Sequence, residues 1–311
     1  MHLRVMVEPQ QGGTYDEILA LAQKTEELGF DGFFRSDHLQ RIGPGDPGPG
    51  STDAWVTLAG LARETRRIRL GTMVSSASFR RPGPLAIAVA TVDAMSGGRV
   101  ELGLGSGWFE VEHTSYGVPF LSTRDRLDVL EEQLALITGL WGTAPGQTFT
   151  FTGKHVSVRD SPALPKPVQP GGVPIIVGGG GAVRTPQLAA TYADEFNMPP
   201  GQTLDATEKQ FKVVRDACER AERDPATLAL STVQALFIGD ESEVRRAAAD
   251  GDASPDDMRA LGLYGSAGEI VDKVGRLQEL GASRTYLQMG SLHDSEILER
   301  MHADVVPQLD A

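Results

Sequence analysis

The sequence predicts an α/β fold in which eight strands close into a (β/α)8 TIM barrel, and three observations favour this architecture. Short β-like runs alternate with longer helical runs along all 311 residues. The β-like runs number eight, and right-handed crossovers can close eight parallel strands into a barrel. Because no linker divides the chain, we expect a single barrel domain over residues 1–311. An open, doubly wound sheet is the alternative.

The first half of the chain contains four predicted strands and four predicted helices. Thr14 followed by Glu17 has the spacing of a capping box, and Gly29 is a typical residue after a helix end. The predicted strands are 3–7, 32–35, 68–74 and 100–104. The predicted helices are 14–28, 53–65, 85–95 and 124–140.

The second half repeats the alternation around two insertions. Ser266 and Glu269 form a second capping-box pattern. The predicted strands are 175–177, 195–198, 228–238 and 284–289. The predicted helices are 187–192, 205–222, 241–249, 266–280 and 296–305. The insertions are a Pro/Gly-rich segment near 141–173, with a hairpin over 149–156, and an acidic loop near 250–263.

The charge and cysteine content exclude several classes of function. The chain has 42 acidic and 29 basic residues, a formal net charge of −13, so neither nucleic acid nor an anionic membrane is an expected partner. Its single cysteine, Cys218, excludes intrachain disulfides and thiolate metal clusters. The N-terminus shows no signal peptide, and no apolar stretch is long enough to span a membrane. We therefore expect a cytoplasmic enzyme.

Four consecutive glycines, Gly178, Gly179, Gly180 and Gly181, are the strongest indication of function. They follow an apolar strand-like run and precede a helical segment. Backbone N–H groups of such a turn can converge on phosphate oxygens, and a helix start favours negative charge. A merely flexible turn is the alternative, but ligands in α/β folds collect at the carboxyl ends of strands. The run therefore predicts a phosphate-bearing cofactor.

A second candidate site follows strand two, where Asp37 and His38 stand side by side. A carboxylate beside an imidazole at the end of a barrel strand is a plausible proton-transfer pair, because histidine titrates near neutrality. The alternative is that Asp37 caps a turn and His38 fills space. From position alone, the two interpretations have equal weight.

Two further strand ends have residues suited to a flat ligand. The segment 71–76 is small and could lie against a ring, and the segment 103–108 contains alternate glycines that permit close approach of the backbone, followed by Trp108. We interpret Glu110, Glu112 and His113 as a solvated helix start. No metal site is predicted, because the spacings typical of metallohydrolases are absent.

These strand ends together resemble the luciferase-like oxidoreductases, a barrel family that uses flavin or the deazaflavin coenzyme F420. The resemblance covers nearly the whole chain and lies in the order and spacing of its motifs. The motifs are Glu27-Leu28-Gly29-Phe30-Asp31-Gly32, Ser36-Asp37-His38, Leu70-Gly71-Thr72, Gly97-Gly98-Arg99-Val100, Gly103-Leu104-Gly105-Ser106-Gly107-Trp108, Pro165-Lys166-Pro167 and Val177-Gly178-Gly179-Gly180, leading to Ala193-Asp194.

The resemblance assigns expected roles to individual residues. It implies a non-proline cis peptide between Met73 and Val74, which forms a bulge against one face of the ring. In deazaflavin members the Asp-His pair contacts the ring and supplies the acid or base, so Asp37 and His38 inherit that role. The expected cofactor-binding residues are Asp37, Thr72, Met73, Val74, Ser76, Ser106, Gly107 and Gly178 to Gly181.

The chain departs from the family members that act on sugar phosphates. Those members carry a Trp after the Asp-His pair and a Glu after strand four, where this chain has Ile42 and Trp108. The resemblance therefore predicts that the family's general acid is missing and that the substrate pocket, formed by Ile42, Phe79, Trp108 and Phe109, is apolar.

Three functions follow from these observations. The favoured one is hydride transfer between coenzyme F420 and an apolar small organic substrate, such as a carbonyl, an imine or an activated alkene. In this function, His38 protonates or deprotonates the substrate oxygen, and Asp37 orients or polarises the substrate. The second is an FMN-dependent monooxygenase of the same fold, and the third is a non-catalytic flavin-binding barrel. Many relatives are homodimers, so a homodimer is also expected.

Overall fold

A computed structural model describes residues 1–251 and 253–309, and its centre is a closed barrel of eight parallel strands, numbered here β1 to β8. The strands are β1 (His2–Val7), β2 (Gly32–Arg35), β3 (Arg69–Thr72), β4 (Val100–Gly105), β5 (Ile175–Gly178), β6 (Glu195–Met198), β7 (Ala229–Ile238) and β8 (Arg284–Gln288). Each strand pairs with the next, and β8 pairs with β1, with Val5 opposite Leu287. The barrel prediction is therefore confirmed.

Helices surround the barrel, and the main apolar core lies between them and the strands. The longer helices are Tyr15–Glu27, Ala54–Glu64, Pro82–Ser96, Thr123–Gly142, Arg184–Tyr192, Leu204–Arg220, Glu241–Asp250 and Ala267–Glu279. Both predicted capping boxes are present: the Glu17 N–H donates to Thr14 Oγ1, and the Glu269 N–H donates to Ser266 Oγ. Within the described residues, we find no helix with the length and apolar character needed to cross a bilayer.

Several elements differ from their predicted bounds. The third strand ends at Thr72, and a separate pair of residues, Ser75–Ser76, then joins the edge of β4. The hairpin consists of Phe149–Thr152 and Ser157–Ser161, so its second strand begins just after the predicted end at 156. The last helix runs from Ser295–Arg300 into a π-helical turn, Met301–Val305.

The segment predicted as an acidic loop, 250–263, is more ordered than expected. It contains a helix, Pro255–Leu261, which the Ser254 hydroxyl caps by accepting from the Asp257 N–H. A short strand, Leu263–Gly265, follows and pairs with β7. The serine and the proline at the helix start are the usual start signals, which the acidic composition obscured.

Charged side chains close the amino-terminal end of the barrel interior. Arg4 Nη1 donates to Glu101 Oε2 at 2.6 Å and to the Tyr286 hydroxyl at 3.0 Å, and that hydroxyl donates to Glu195 Oε1 at 2.9 Å. Burial by itself would raise the pKa of Glu101, but the Arg4 guanidinium overrides this effect and the pKa is lowered. An apolar layer that includes Met6 lies in the same interior. These layers leave the carboxyl end of the barrel for a ligand.

Candidate active site

A cavity of about 610 Å³ lies at the carboxyl ends of the strands. It is lined by most of the residues that the sequence predicted for the site. The predicted residues that line it are Asp37, His38, Ile42, Met73, Val74, Ser76, Ser106, Gly107, Trp108 and Gly178 to Gly181. Eight-stranded barrels place their active sites at this end, because all the βα-loops meet there.

Three predicted site residues do not line this cavity. Thr72 lies within the wall, where its hydroxyl donates to the Gly103 carbonyl at 3.0 Å. Phe79 lines a separate cavity of about 350 Å³ and packs against His113. Phe109 packs edge-on against His38, with ring centroids 6.1 Å apart. The expected apolar pocket of four residues is therefore reduced to Ile42 and Trp108, with other apolar side chains beside them.

The Met73–Val74 peptide bond is cis, as the resemblance implies. The Val74 side chain lies against the carboxyl end of β4, and Gly103 makes this approach possible. A Cβ atom on Gly103 would lie 2.0 Å from the Thr72 carbonyl oxygen and 2.9 Å from Val74 Cγ1. The absence of a side chain at Gly103 thus allows Val74 to form one wall of the cavity.

The glycine run forms another wall, and its geometry suits an anion. Gly178 ends β5, and the Gly179 N–H is occupied by the Asn197 carbonyl at 3.2 Å. The helix Arg184–Tyr192 then begins at Val183 without a side-chain cap, and Thr185 of its first turn lines the cavity. A helix start without a side-chain cap attracts phosphate through its dipole and its N–H groups. The run therefore fits the phosphate of a cofactor.

His38 is held by a buried carboxylate that was not predicted for the site. Its Nδ1 lies 3.1 Å from each oxygen of Glu112, and Glu112 Oε2 also accepts from the Leu39 N–H at 2.9 Å. Because an ionised carboxylate only accepts, the proton lies on Nδ1, and in a neutral ring Nε2 keeps its lone pair. His38 can therefore exchange a proton with a ligand through Nε2.

The interpretation of residues 110–113 as a solvated helix start is wrong for two of its three residues. Glu110 is exposed, but Glu112 is 1% exposed and His113 is fully buried. The helix Glu110–Ser115 packs onto the loops after β2 and β3, because Glu112 forms a hydrogen bond with His38 and His113 forms one with Ser78.

Asp37 accepts three hydrogen bonds from other side chains of the protein. Arg80 donates to both of its oxygens, at 3.0 and 2.6 Å, and the Ser75 hydroxyl donates to Oδ2 at 2.7 Å. Burial by itself would lower the pKa of Arg80, but Asp37 and Asp53 raise it above its usual value. Asp37 thus ties the loop after β2 to the bulge after β3, and its carboxylate faces a permanent cation.

A cluster of possible metal ligands lies outside this cavity. Single ligand atoms of Asp125, Asp128 and His155 come within 4.8 Å of one another. Lys154 donates to Asp125 at 2.7 Å, and Arg184 donates to Asp128 at 2.5 Å, so basic side chains already neutralise both carboxylates. These ion pairs attach the hairpin and the helix Arg184–Tyr192 to the helix Thr123–Gly142.

Comparison with known proteins identifies the family. The sequence profile described as luciferase-like monooxygenase matches residues 1–254, which include the cis peptide, the Asp-His pair and the glycine run. The chain belongs to the luciferase-like monooxygenase family. The predicted resemblance is therefore confirmed.

Relatives within the family carry names that refer to coenzyme F420. The chain is 33% identical over 211 residues to an F420-dependent glucose-6-phosphate dehydrogenase of Microbacterium testaceum, covering 67% of this chain and 60% of the relative. It is 32% identical over 240 residues to an F420-dependent hydroxymycolic acid dehydrogenase of Mycobacterium tuberculosis, covering 75% and 62%. Both matches thus span less than two thirds of the relative's length.

A solved structure supports the fold at low sequence identity. An F420-dependent secondary alcohol dehydrogenase, solved with an F420-acetone adduct, superposes with a TM-score of 0.86 over 99% of this chain and 98% of that chain. The two sequences are 18% identical, so the likeness concerns the barrel alone.

Sequence reasoning missed several polar residues of this family member's cavity, among them Glu8, Glu112, Arg126 and Gln288. Arg126 was hidden inside a helical pattern, and its guanidinium donates to the Gly107 and Leu121 carbonyls. Glu8 directly follows β1, and Gln288 is the last residue of β8. The carboxyl end of a strand is a general signal for site residues in barrels. Glu112 had no such signal, because its partner lies 74 positions away.

Proposed function

We propose that this protein is an oxidoreductase that transfers a hydride between coenzyme F420 and a neutral, largely apolar organic substrate. The observation that supports it best is one cavity that joins the Val74 wall, the glycine run and His38. The first suits a flat ring, the second a phosphate, and the third a proton transfer. Relatives named as F420-dependent dehydrogenases agree with this choice of cofactor.

In this proposal the residues divide the work of binding and proton transfer. The bound deazaflavin supplies the hydride donor or acceptor. Val74 and Met73 support one face of the ring, the glycine run and Thr185 hold the phosphate, and His38 Nε2 gives or takes the substrate proton. Asp37 acts as a positioning residue, because Arg80 and Ser75 occupy its oxygens. General acid–base catalysis of this kind contributes about 10²–10⁴-fold to the rate.

The charges in the cavity favour a neutral substrate. Among the described lining residues, Arg126 is the sole Lys or Arg, and its nitrogens already donate to Gly107, Leu121 and Thr123. An anionic substrate would therefore meet no free cation there, and an unpaired charge in a partly closed cavity is costly. Ile42 and Trp108 also favour a substrate without charge, because both side chains are apolar. A sugar phosphate is therefore not the proposed substrate.

The cofactor is tested by direct binding. Purified protein is titrated with F420 and, separately, with FMN, and each dissociation constant is measured. We expect F420 to bind and FMN to bind much more weakly. Reduced F420 is then supplied with a panel of ketones, aldehydes and enones, and its reoxidation is followed by absorbance. Tight FMN binding with oxygen uptake would instead identify the monooxygenase, and binding without any turnover would favour the non-catalytic barrel.

We further propose that the protein forms a homodimer and acts in the cytoplasm. Val56 and Ile87 are 75% and 49% exposed on the helices Ala54–Glu64 and Pro82–Ser96, which pack against each other. An apolar pair of this kind on neighbouring helices suits a second copy of the chain. Cell fractionation tests the location.

A further inference from the structure

We infer that the buried His113 makes Ser76 a hydrogen-bond acceptor toward the cavity, so that the cofactor group at Ser76 must be a donor, a hydroxyl or an N–H. This inference rests on the proposed function, in which the cavity holds F420. It goes beyond that function because it states which chemical group of the cofactor meets this wall. His113 is thereby a positioning residue, since it acts on the ligand through two serine hydroxyls.

The inference starts from a continuous row of hydrogen bonds that leads from the protein interior to the cavity. His113 Nδ1 lies 2.8 Å from the Phe109 carbonyl oxygen, and its Nε2 lies 2.6 Å from Ser78 Oγ. Ser78 Oγ lies 2.5 Å from Ser76 Oγ, and Ser76 lines the cavity. The ring is fully buried and packs edge-on against Phe79 and Phe120.

The direction of these hydrogen bonds follows from the chemistry of the first group. A carbonyl oxygen can only accept, so His113 Nδ1 carries a proton and donates it. In a neutral ring Nε2 is then an acceptor, and Ser78 must give it its hydroxyl proton. Having spent that proton, Ser78 can only accept from the Ser76 hydroxyl. Ser76 is left with lone pairs toward the cavity and no proton to offer there.

The surrounding backbone restricts the two hydroxyls to this arrangement. Gly107 packs directly on them: a Cβ atom there would lie 2.3 Å from both Ser76 Oγ and Ser78 Oγ. Arg126 Nε donates to the Gly107 carbonyl at 3.1 Å and holds that backbone in place. The hydroxyls thus have little room to turn toward other partners.

This polarity selects among the groups of a deazaflavin cofactor. An ionised phosphate or a ring carbonyl offers only lone pairs and would be repelled by Ser76, whereas a side-chain hydroxyl or a ring N–H would be accepted. The phosphate is therefore directed toward the glycine run, and Ser76 binds a donor-bearing part of the molecule.

The tautomer of His113 is the first test, and it needs no cofactor. Nitrogen NMR on protein with labelled histidine distinguishes a neutral ring with its proton on Nδ1 from the other states. We expect that form for His113, with a signal that moves in Ser78→Ala because Nε2 loses its partner. A proton on Nε2, alone or in addition, reverses the row of hydrogen bonds and overturns the inference.

Cofactor affinity is the second test, measured by titration with F420. Ser76→Ala should weaken binding about threefold to tenfold, the value of one hydrogen bond. Ser78→Ala should weaken it less, because the Ser76 hydroxyl remains. Ser283→Ala, at the opposite end of the barrel, is the matched control and should bind as the wild type does.

The two tests separate failure of this inference from failure of the proposed function. Unchanged F420 binding by Ser76→Ala contradicts the inference even where the wild type binds tightly. If the wild type binds no F420, the proposed function fails and the selection of a cofactor donor fails with it. The NMR result still decides the direction of the hydrogen bonds in that case.

Discussion

His38 obtains its orientation from one buried carboxylate, and this pairing sets which ring nitrogen can act on a substrate. The Glu112 oxygens hold the Nδ1 proton, so Nε2 is the free nitrogen. Asp37 lies next in the sequence but has a different partner, because Arg80 donates to both of its oxygens. The sequence suggested these two adjacent residues as one catalytic pair, but in the structure each has its own hydrogen-bond partner.

The pairing predicts how the Glu112→Gln variant behaves. A neutral amide accepts more weakly and can also present its NH₂ group, so the Nδ1 tautomer is no longer enforced. We expect turnover of a substrate found in the panel to fall about 10- to 100-fold, with F420 affinity within about threefold of the wild type. Glu110→Gln, an exposed change on the same helix, is the control, and full turnover by Glu112→Gln would contradict the assignment.

Removal of the imidazole has a larger expected effect. His38→Ala should lower turnover about 10²- to 10⁴-fold, because the proton then has no side-chain donor or acceptor. Cofactor affinity should change little, since His38 is proposed to act on the substrate. If steady-state turnover is unaltered in His38→Ala, the histidine is a spacer.

At the scale of secondary-structure elements, the contact between β3 and β4 determines the shape of the cavity. The third strand ends at Thr72, and Val74 occupies space that a side chain at Gly103 of β4 would need. The sequence predicted this strand to continue to 74. The interruption involves contacts with β4, and the family resemblance indicated it although the residue pattern of the strand did not.

Substitution of a glycine at this contact should have the opposite effect on stability from substitution of a glycine in open space. Gly103→Ala should lower the free energy of unfolding by about 1–3 kcal/mol or more and weaken F420 binding, because the new methyl group meets the Thr72 backbone and Val74. Gly275→Ala, in the helix Ala267–Glu279 with open space around it, should raise stability by about 0.5–1 kcal/mol. Urea denaturation measures both, and a stable Gly103→Ala variant would argue against the tight contact.

A second element depends on one lysine from a neighbouring helix. Lys273 Nζ donates to the carbonyls of Arg259, Ala260 and Gly262 at the end of the helix Pro255–Leu261. We expect Lys273→Met to speed hydrogen exchange across 255–265, since these carbonyls lose their donor. Lys212→Met removes only a surface pair with Asp216 and should leave that exchange unchanged.

At the scale of the whole molecule, stability and function lie at opposite ends of the barrel. The amino-terminal end is closed by the buried Arg4, Glu101 and Glu195, and the carboxyl end is open around His38. Buried ion pairs of this kind gain little net energy, but removal of one partner leaves a charge without compensation.

The ion-pair network gives a stability prediction that does not involve the active site. Arg4→Met should lower the free energy of unfolding by up to about 3 kcal/mol, because the buried Glu101 loses one of its two cationic partners and keeps only Arg69. The double variant Arg4→Met/Glu101→Gln should recover part of that loss. Equilibrium unfolding in urea provides the comparison. Equal stability of the wild type and both variants would mean that the Arg4–Glu101 pair makes no net contribution to the free energy of unfolding.

Self-association belongs to the same scale. If the exposed Val56 and Ile87 meet a second copy, Val56→Lys with Ile87→Lys should convert a dimer into a monomer in light scattering after gel filtration. Val168→Lys, at an exposed apolar residue outside these helices, is the control. A wild-type protein that elutes as a monomer would reject the proposed dimer.

The sequence by itself determined the eight-fold alternation, the capping boxes, the glycine run and the position of Asp37 and His38, because these depend on neighbours a few residues apart. The tertiary structure alone decided that Glu112 holds His38, that Arg80 occupies Asp37 and that Phe79 lies outside the cavity. Those outcomes depend on contacts between strand ends far apart in the chain. Local patterns of polarity carry no information about which loops meet at the mouth of a closed barrel.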